Sequence, residues 1–146
     1  MDNRIVLDST PLSLLCHPNP RIPVVVEINL WLEARLLEGA VVYIPEITDY
    51  EVRRELIRAG KQKSLRKLDA LIGQTAYLPL DTAVMRRAAE LWAKVRNLGL
   101  PTASSEALDG DVILAAQSET VDAVVATENV DHLIRFVAAK HWRDIK

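Results

Sequence analysis

Four short runs in this chain are apolar almost throughout, and segments with helical spacing separate them. The runs are Arg4–Leu7 (RIVL), Val41–Ile44 (VVYI), Ala76–Leu80 (AYLPL) and Ala123–Ala126 (AVVA). A strand with one face in water alternates polar and apolar residues, whereas a strand covered on both faces does not. Helices lying between such strands supply the cover. The pattern therefore predicts an α/β fold with a central parallel sheet and helices on both faces. A parallel sheet brings the C-terminal ends of its strands to one edge, and a reversal of strand order opens a crevice there.

The helical segments carry their own start and stop signals. Pro23 precedes Val24–Glu38, where Val24, Ile28, Trp31, Leu32 and Leu36 share a face and Gly39 follows. Pro45 closes the second strand. Ile47–Ala59 reads as a helix ended by Gly60, and Leu65, Leu68, Leu71 and Ile72 mark another ended by Gly73. Asp81 caps a long helix through Leu98, with Val84, Ala88, Leu91, Trp92 and Val95 on its apolar face. Gly99–Leu108 reads as a loop, and Asp111–Gln117 opens a further helix. With 146 residues the chain reads as one domain over residues 1–146. It is long enough to bury roughly 68–70% of its unfolded surface.

Composition narrows the classes. The one cysteine, Cys16, forms neither a disulfide framework nor a thiolate zinc site alone, and reads as a small core residue in a reducing, cytoplasmic setting. The N-terminus turns acidic at once, unlike a signal peptide, and no run reaches the roughly 18 apolar residues of a membrane span. Five glycines form neither GxGxxG nor GxxxxGK, which ranks a phosphate-loop nucleotide binder last. A net charge of −2 argues against nucleic acid, but cations held by clustered carboxylates reverse the local sign.

Acidic or amide residues recur at the ends of the apolar runs: Asp8, Glu51, Asp111 and Asn129, with Asp131 beside the last. Brought to one sheet edge, they form a crevice of carboxylates that either holds a divalent cation or keeps some members protonated. Each also has a plainer reading. Asp8-Ser9-Thr10-Pro11 is good turn or N-cap chemistry. Thr48-x-x-Glu51 matches a capping box, although Pro45 suggests an earlier helix start that puts Glu51 one turn in. One of Asp109 and Asp111 is expected to cap the helix that follows, and Asn129 to cap the helix containing His132, Leu133 and Phe136. His17 and His141 have no partner at ligand spacing.

Taken together, the order carries a resemblance. Ile5-Val6-Leu7-Asp8-Ser9, then Tyr50-Glu51-Val52-Arg53-Arg54-Glu55-Leu56, then Leu108-Asp109-Gly110-Asp111-Val112-Ile113-Leu114-Ala115-Ala116, then Ala126-Thr127-Glu128-Asn129-Val130-Asp131-His132-Leu133 resembles a PIN domain, most closely the VapC-type toxins of bacterial toxin–antitoxin pairs. The resemblance spans essentially the whole chain. Its more specific parts are the Asp111-Val112-Ile113-Leu114-Ala115-Ala116 element and the Thr127-x-Asn129 element, about 16 residues apart.

The resemblance implies a three-layer α/β/α Rossmann-like sandwich and a metal-dependent endoribonuclease using Mg²⁺ or Mn²⁺. It also implies an RNA substrate, an antitoxin partner and a homodimer. It implies catalytic roles for Asp8, Glu51, Asp111 and Asn129, with Ser9, Thr127 and Asp131 in support. Asp8 and Asp111 are the implied direct metal ligands. Glu51 positions a water, and either Asn129 or Asp131 completes the site. The departure from the family pattern is the last element, where His132 takes a place that is often acidic.

Arg53, Arg54, Arg58, Lys61, Lys63, Arg66 and Lys67 put seven basic residues in fifteen positions. Such a run is either a solvated helical face or a contact for RNA or an acidic antitoxin segment, with Arg53, Arg54 and Arg58 nearest the pocket. No interleaved aromatic platform is visible in the sequence. The competing function class is a PIN-like module with weak or no catalysis that acts by binding RNA or protein.

Overall fold

The computed structural model describes residues 2–99 and 105–146, with 105 and 106 described by backbone alone. Its elements in chain order are β1 (Arg4–Leu7), α1 (Ser9–Leu15), α2 (Pro23–Leu37), β2 (Val41–Pro45), α3 (Glu46–Arg58), α4 (Gln62–Gln74) and β3 (Ala76–Leu78). There follow α5 (Thr82–Asn97), α6 (Ser105–Glu119), β4 (Val124–Thr127), α7 (Val130–Leu133), β5 (Ala139–His141) and a closing 3₁₀ turn, Trp142–Asp144. The sheet order is β3-β2-β1-β4-β5, and every pairing is parallel. Strand order reverses between β1 and β4, which is the switch point such folds use for ligands.

The apolar runs bury both faces, as their lack of alternation requires. Ile5, Leu7, Val42, Ile44, Val124 and Ala126 face a layer containing Leu12, Leu15, Ile28, Leu32 and Leu68 of α1, α2 and α4. Val6 and Val125 face the other way, onto Leu114 of α6. Beyond them α5 and α6 pack through Val84, Ala88, Leu91, Val112 and Ala116. This is the three-layer α/β/α sandwich with a central parallel sheet. Ile5, Val6 and Leu7 are fully buried, each contributing about 1.5–3 kcal/mol relative to exposure.

Several expectations shift. Asp8-Ser9-Thr10-Pro11 is the start of α1 rather than a closing turn. Pro11 is tolerated because the first helical N–H groups have no intrahelical partner to lose. The third strand ends at Leu78, two residues early, because Pro79 has no N–H for the ladder and the Leu80 N–H turns to Glu46 Oε1 at 2.7 Å. The fourth strand runs one residue later, through Thr127. The expected loop over Gly99–Leu108 lies partly outside the described residues; its end, from Ser105, is already helical. Asp109 and Asp111 therefore stand inside α6, and neither is an N-cap. Glu51 is not part of a capping box, because α3 begins at Glu46 with Pro45 as its N-cap. Asn129 occupies the N-cap position of α7 without a side-chain bond, and Phe136 falls beyond that helix. Strand β5 and the 3₁₀ turn were not foreseen. They nonetheless bury Trp142 and Ile145 in the core, where the Ile145 carbonyl accepts from Trp31 Nε1 at 2.9 Å and from Arg35 Nη1.

Candidate functional site: a carboxylate cluster at the switch point

The site begins where β1 and β4 end side by side. The Asp8 N–H extends the ladder to the Ala126 carbonyl at 3.0 Å, so Asp8 and Thr127 emerge as neighbours at the C-terminal edge. Asp8 caps α1, with Oδ1 accepting from the Ser9 N–H at 2.7 Å. Its other oxygen accepts from the Thr127 hydroxyl at 2.7 Å. Asp8 thus caps α1 and, with the same side chain, meets Thr127 at the sheet edge. Helix α1 then presents the Ser9 hydroxyl, which donates to Glu51 Oε1 at 3.1 Å across 42 residues of sequence. The result is a continuous chain, Thr127–Asp8–Ser9–Glu51, that joins β4, β1, α1 and α3.

Asp111, from the second turn of α6, faces this chain. Burial, then the charges of Asp8 and Glu51, push its carboxyl up from 3.8 to about 6, while His132 and Arg135 pull the other way. Burial is also the leading cause of the raised carboxyl of Asp8, where the Thr127 and Ser9 hydrogen bonds oppose it. Burial again raises Glu51, with the Ser9 bond opposing and the Asp8 charge adding. Asp8 and Glu51 accept from hydroxyl or amide donors, and among the described residues none of the three part-buried acids is ion-paired.

Glu51 has a close neighbour that the sequence did not advertise. A Cβ at Gly110 would stand 2.9 Å from Glu51 Oε2. Gly110 lies mid-helix between two aspartates, so the missing side chain is what lets the Glu51 carboxylate lie against α6. A second unforeseen residue is Gln117, buried on α6. Its amide donates to the Leu78 carbonyl at 2.7 Å and its oxygen accepts from the Ile47 N–H at 3.2 Å. It ties α6 to the end of β3 and to the first turn of α3. A glycine inside an apolar helical run was the available signal for the first. The second had none, since a lone Gln in VILAAQ reads as surface.

The last element meets the cluster through its backbone. Asn129 is exposed, and its backbone N–H donates to Thr127 Oγ1 at 2.8 Å. It thereby supports the hydroxyl that holds Asp8, through an atom every residue but proline carries. Asp131 is exposed in α7, and the α7 charge that Asp111 feels is that of His132.

Three of the seven residues of the basic run are engaged. Arg53 bridges Asp49 at 2.9 Å and Asp69 at 2.8 Å, Arg58 pairs with Glu55 at 2.9 Å, and Lys67 donates to the His17 carbonyl. Arg54 is placed differently. Its guanidinium lies over the Tyr50 ring, 5.0 Å from the centroid, beside Glu51. Cys16 is fully buried, and burial pushes its thiol up to about 12, which makes it an inert core residue.

The donor set can be tested against a divalent cation. Its oxygens are hard, as Mg²⁺ and Mn²⁺ require. Among the described residues no three His, Cys, Asp or Glu side chains stand close enough to cage a cation alone. Magnesium takes one or two carboxylates and fills the remaining positions with water and substrate oxygens. The oxygen donors of Asp8 and Asp111 are of the kind such an open site uses, and the cluster does not form a closed structural one.

A family model of the PIN domain matches residues 27–138. Among solved structures, a VapBC2 complex from Rickettsia felis bound to a DNA fragment from its promoter is similar, with a TM-score of 0.73 at 17% identity over 95% of this chain and 98% of that one. FitAcB from Neisseria gonorrhoeae gives 0.70 at 23% identity over 97% and 99%. VapBC-1 from nontypeable Haemophilus influenzae gives 0.69 at 18% over 97% and 99%. No curated protein matches the chain.

Proposed function

The chain belongs to the PIN-domain family, and from that premise we propose that it is a Mg²⁺- or Mn²⁺-dependent endoribonuclease formed by one domain over residues 1–146. The observation that carries the reading is the Thr127–Asp8–Ser9–Glu51 hydrogen-bond chain facing Asp111, with no ion pair to its acids among the described residues. Residue placement supports distinct roles. Asp8 and Asp111 hold the cation. Thr127 and the Ser9 amide fix both oxygens of Asp8, each of which keeps a lone pair for a ligand. Glu51 is held at Oε1 by Ser9, leaving Oε2 to accept a hydrogen bond from the attacking water. Asn129 steadies Thr127 through its backbone, and Asp131 stands at the rim. When bound, the cation polarises the scissile phosphate and lowers the pKa of a water beside it. The chain's own part is to hold these groups in place and to keep Glu51 oriented before substrate arrives.

The similar solved chains are VapBC and FitAcB proteins, some of them bound to DNA. By analogy, this chain is the toxin of a type II toxin–antitoxin pair, with RNA as substrate, an antitoxin as partner and a homodimer as its assembly. No helix among the described residues is long and apolar enough to cross a membrane.

The test is RNA cleavage with Mg²⁺ or Mn²⁺ by the parent protein, Asp8→Asn and Asp111→Asn. Losing one such electrostatic group is expected to lower kcat by about 10²–10³. Equal rates in all three proteins would remove the mechanism. A second reading, a PIN-like module that binds RNA or protein without catalysis, is favoured by the exposed, non-acidic Asn129. Calorimetry separates the two: no heat from millimolar Mn²⁺, with RNA or partner binding intact, selects the module.

A further inference from the structure

Helix α3 carries more than Glu51 to the switch point. Tyr50 is 56% exposed although it is a large aromatic one residue from a site carboxylate. Arg54, one turn on, lays its guanidinium over the ring at 5.0 Å. The two side chains border a crevice of about 290 Å³ between α3 and α6. Ile47 and Ile113 line it as apolar walls, and Glu51 and Gly110 lie where it meets the carboxylate cluster. Because the crevice and the cluster share Glu51, a group seated in the crevice sits next to whatever the cluster holds.

From this we infer that the crevice is a nucleobase subsite, in which the base of a nucleotide flanking the scissile phosphate stacks on the Tyr50–Arg54 pair. The inference rests on the ribonuclease reading of the adjoining site. The chemistry selects a base over a phosphate. The crevice carries two carboxylates, Glu51 and Asp109, against one guanidinium, so a phosphate is repelled as much as held. A base presents a π-face to the ring and guanidinium, apolar area to the isoleucines, and N–H groups to acceptor carboxylates.

The sequence run hid this platform because it showed only basic residues in succession. A helical offset of four residues is what brings the aromatic and the guanidinium together.

The experiment reads binding in an Asp111→Asn background with Mn²⁺, so that RNA is not consumed. The two probes are a labelled single-stranded RNA oligomer and an abasic phosphodiester oligomer of the same length and charge. Tyr50→Ala is expected to weaken RNA binding about 5- to 150-fold, the value of one base–aromatic stack, and to leave the abasic oligomer unaffected. Tyr50→Phe keeps the ring and is expected to retain most of the RNA affinity. Equal losses on both probes, or no loss on RNA, overturn the subsite; the second result indicates a face used for a protein partner. If the Asp111→Asn background binds neither probe, the subsite fails, and RNA cleavage by the unmutated protein in Mn²⁺ decides the ribonuclease reading separately. If the background binds both and Tyr50→Ala changes nothing, the subsite alone fails.

Discussion

Gly110 shows how much a single residue decides at this site. In an exposed helix interior a glycine is roughly 0.5–1 kcal/mol less favourable than alanine, so Gly110→Ala in α6 ought to stabilise the protein. The Glu51 carboxylate, 2.9 Å from where the new Cβ would lie, opposes that gain. The two effects separate in a double-mutant cycle. In a Glu51→Ala background, Gly110→Ala is expected to gain about 0.5–1 kcal/mol by urea unfolding. With Glu51 present it is expected to lose roughly 1 kcal/mol, the lower end of overpacking costs, and to displace Glu51 so that Mn²⁺-dependent cleavage falls. The same sign in both backgrounds would remove the seat. Residues of the site differ in how readable they were for a comparable reason. Asp8 and Thr127 follow apolar runs directly, so strand position alone locates them. Glu51 fits a capping pattern just as well, and only the family resemblance lifted it above that reading. Gly110 functions by lacking a side chain, which a pattern of functional groups does not register.

Elements were legible where one physical signal dominated. Strands β1, β2 and β4 are runs that must be covered on both faces, and α5 has a clean cap, with Asp81 Oδ1 accepting from the Val84 N–H at 2.7 Å. Helix α1 was lost because Asp, Ser, Thr and Pro favour turns and helix starts alike, and the sequence alone does not say which. Strand β5 was lost because three residues carry too little pattern. Helix α6 begins earlier than its aspartates suggested, and this matters for function. As caps they would sit at a helix end; inside the helix, Asp111 faces the cluster from the second turn. What fixes α6 against α3 is Gln117, whose amide spans the Ile47 N–H and the Leu78 carbonyl. Gln117→Leu keeps the volume but strands both backbone groups. The expected loss is about 2–6 kcal/mol by chemical denaturation, since each of the two buried unsatisfied groups costs about 1–3. Activity is expected to fall with it, because Glu51 rides on α3. A loss below 0.5 kcal/mol in the same assay would show that the tie is not structural.

At the scale of the whole molecule, the unpaired acids make the fold itself sensitive to protons and cations. The Asp111 carboxyl titrates at about 6 in the folded chain against an ordinary 3.8. The folded state therefore binds this proton more tightly than the unfolded state does. Stability from this group is complete below the lower value and is lost as pH rises through the upper one. That is the reverse of an ion-paired carboxylate, and Asp8 and Glu51 are shifted in the same direction. A shift of this size corresponds to about 3 kcal/mol when fully buried, and solvent around a part-exposed group reduces it to roughly 1–2. Without metal, the window from pH 7.5 to 5 recovers a little under half of this, so the protein is expected to melt roughly 1–4 °C higher at pH 5 than at pH 7.5 from this source. Asp111→Asn should flatten most of that difference. A cation relieves the same repulsion at neutral pH, adding about 2.7 kcal/mol when present at a hundred times its Kd. At pH 5 the proton competes for the same oxygens. The Mn²⁺-induced rise in Tm is thus expected to be large at pH 7.5, small at pH 5 and nearly absent in Asp111→Asn. Thermal melts at the two pH values, with and without Mn²⁺, decide it. An equal metal increment at both, in parent and variant alike, would place the cation away from Asp111 and separate the fold's proton sensitivity from its chemistry.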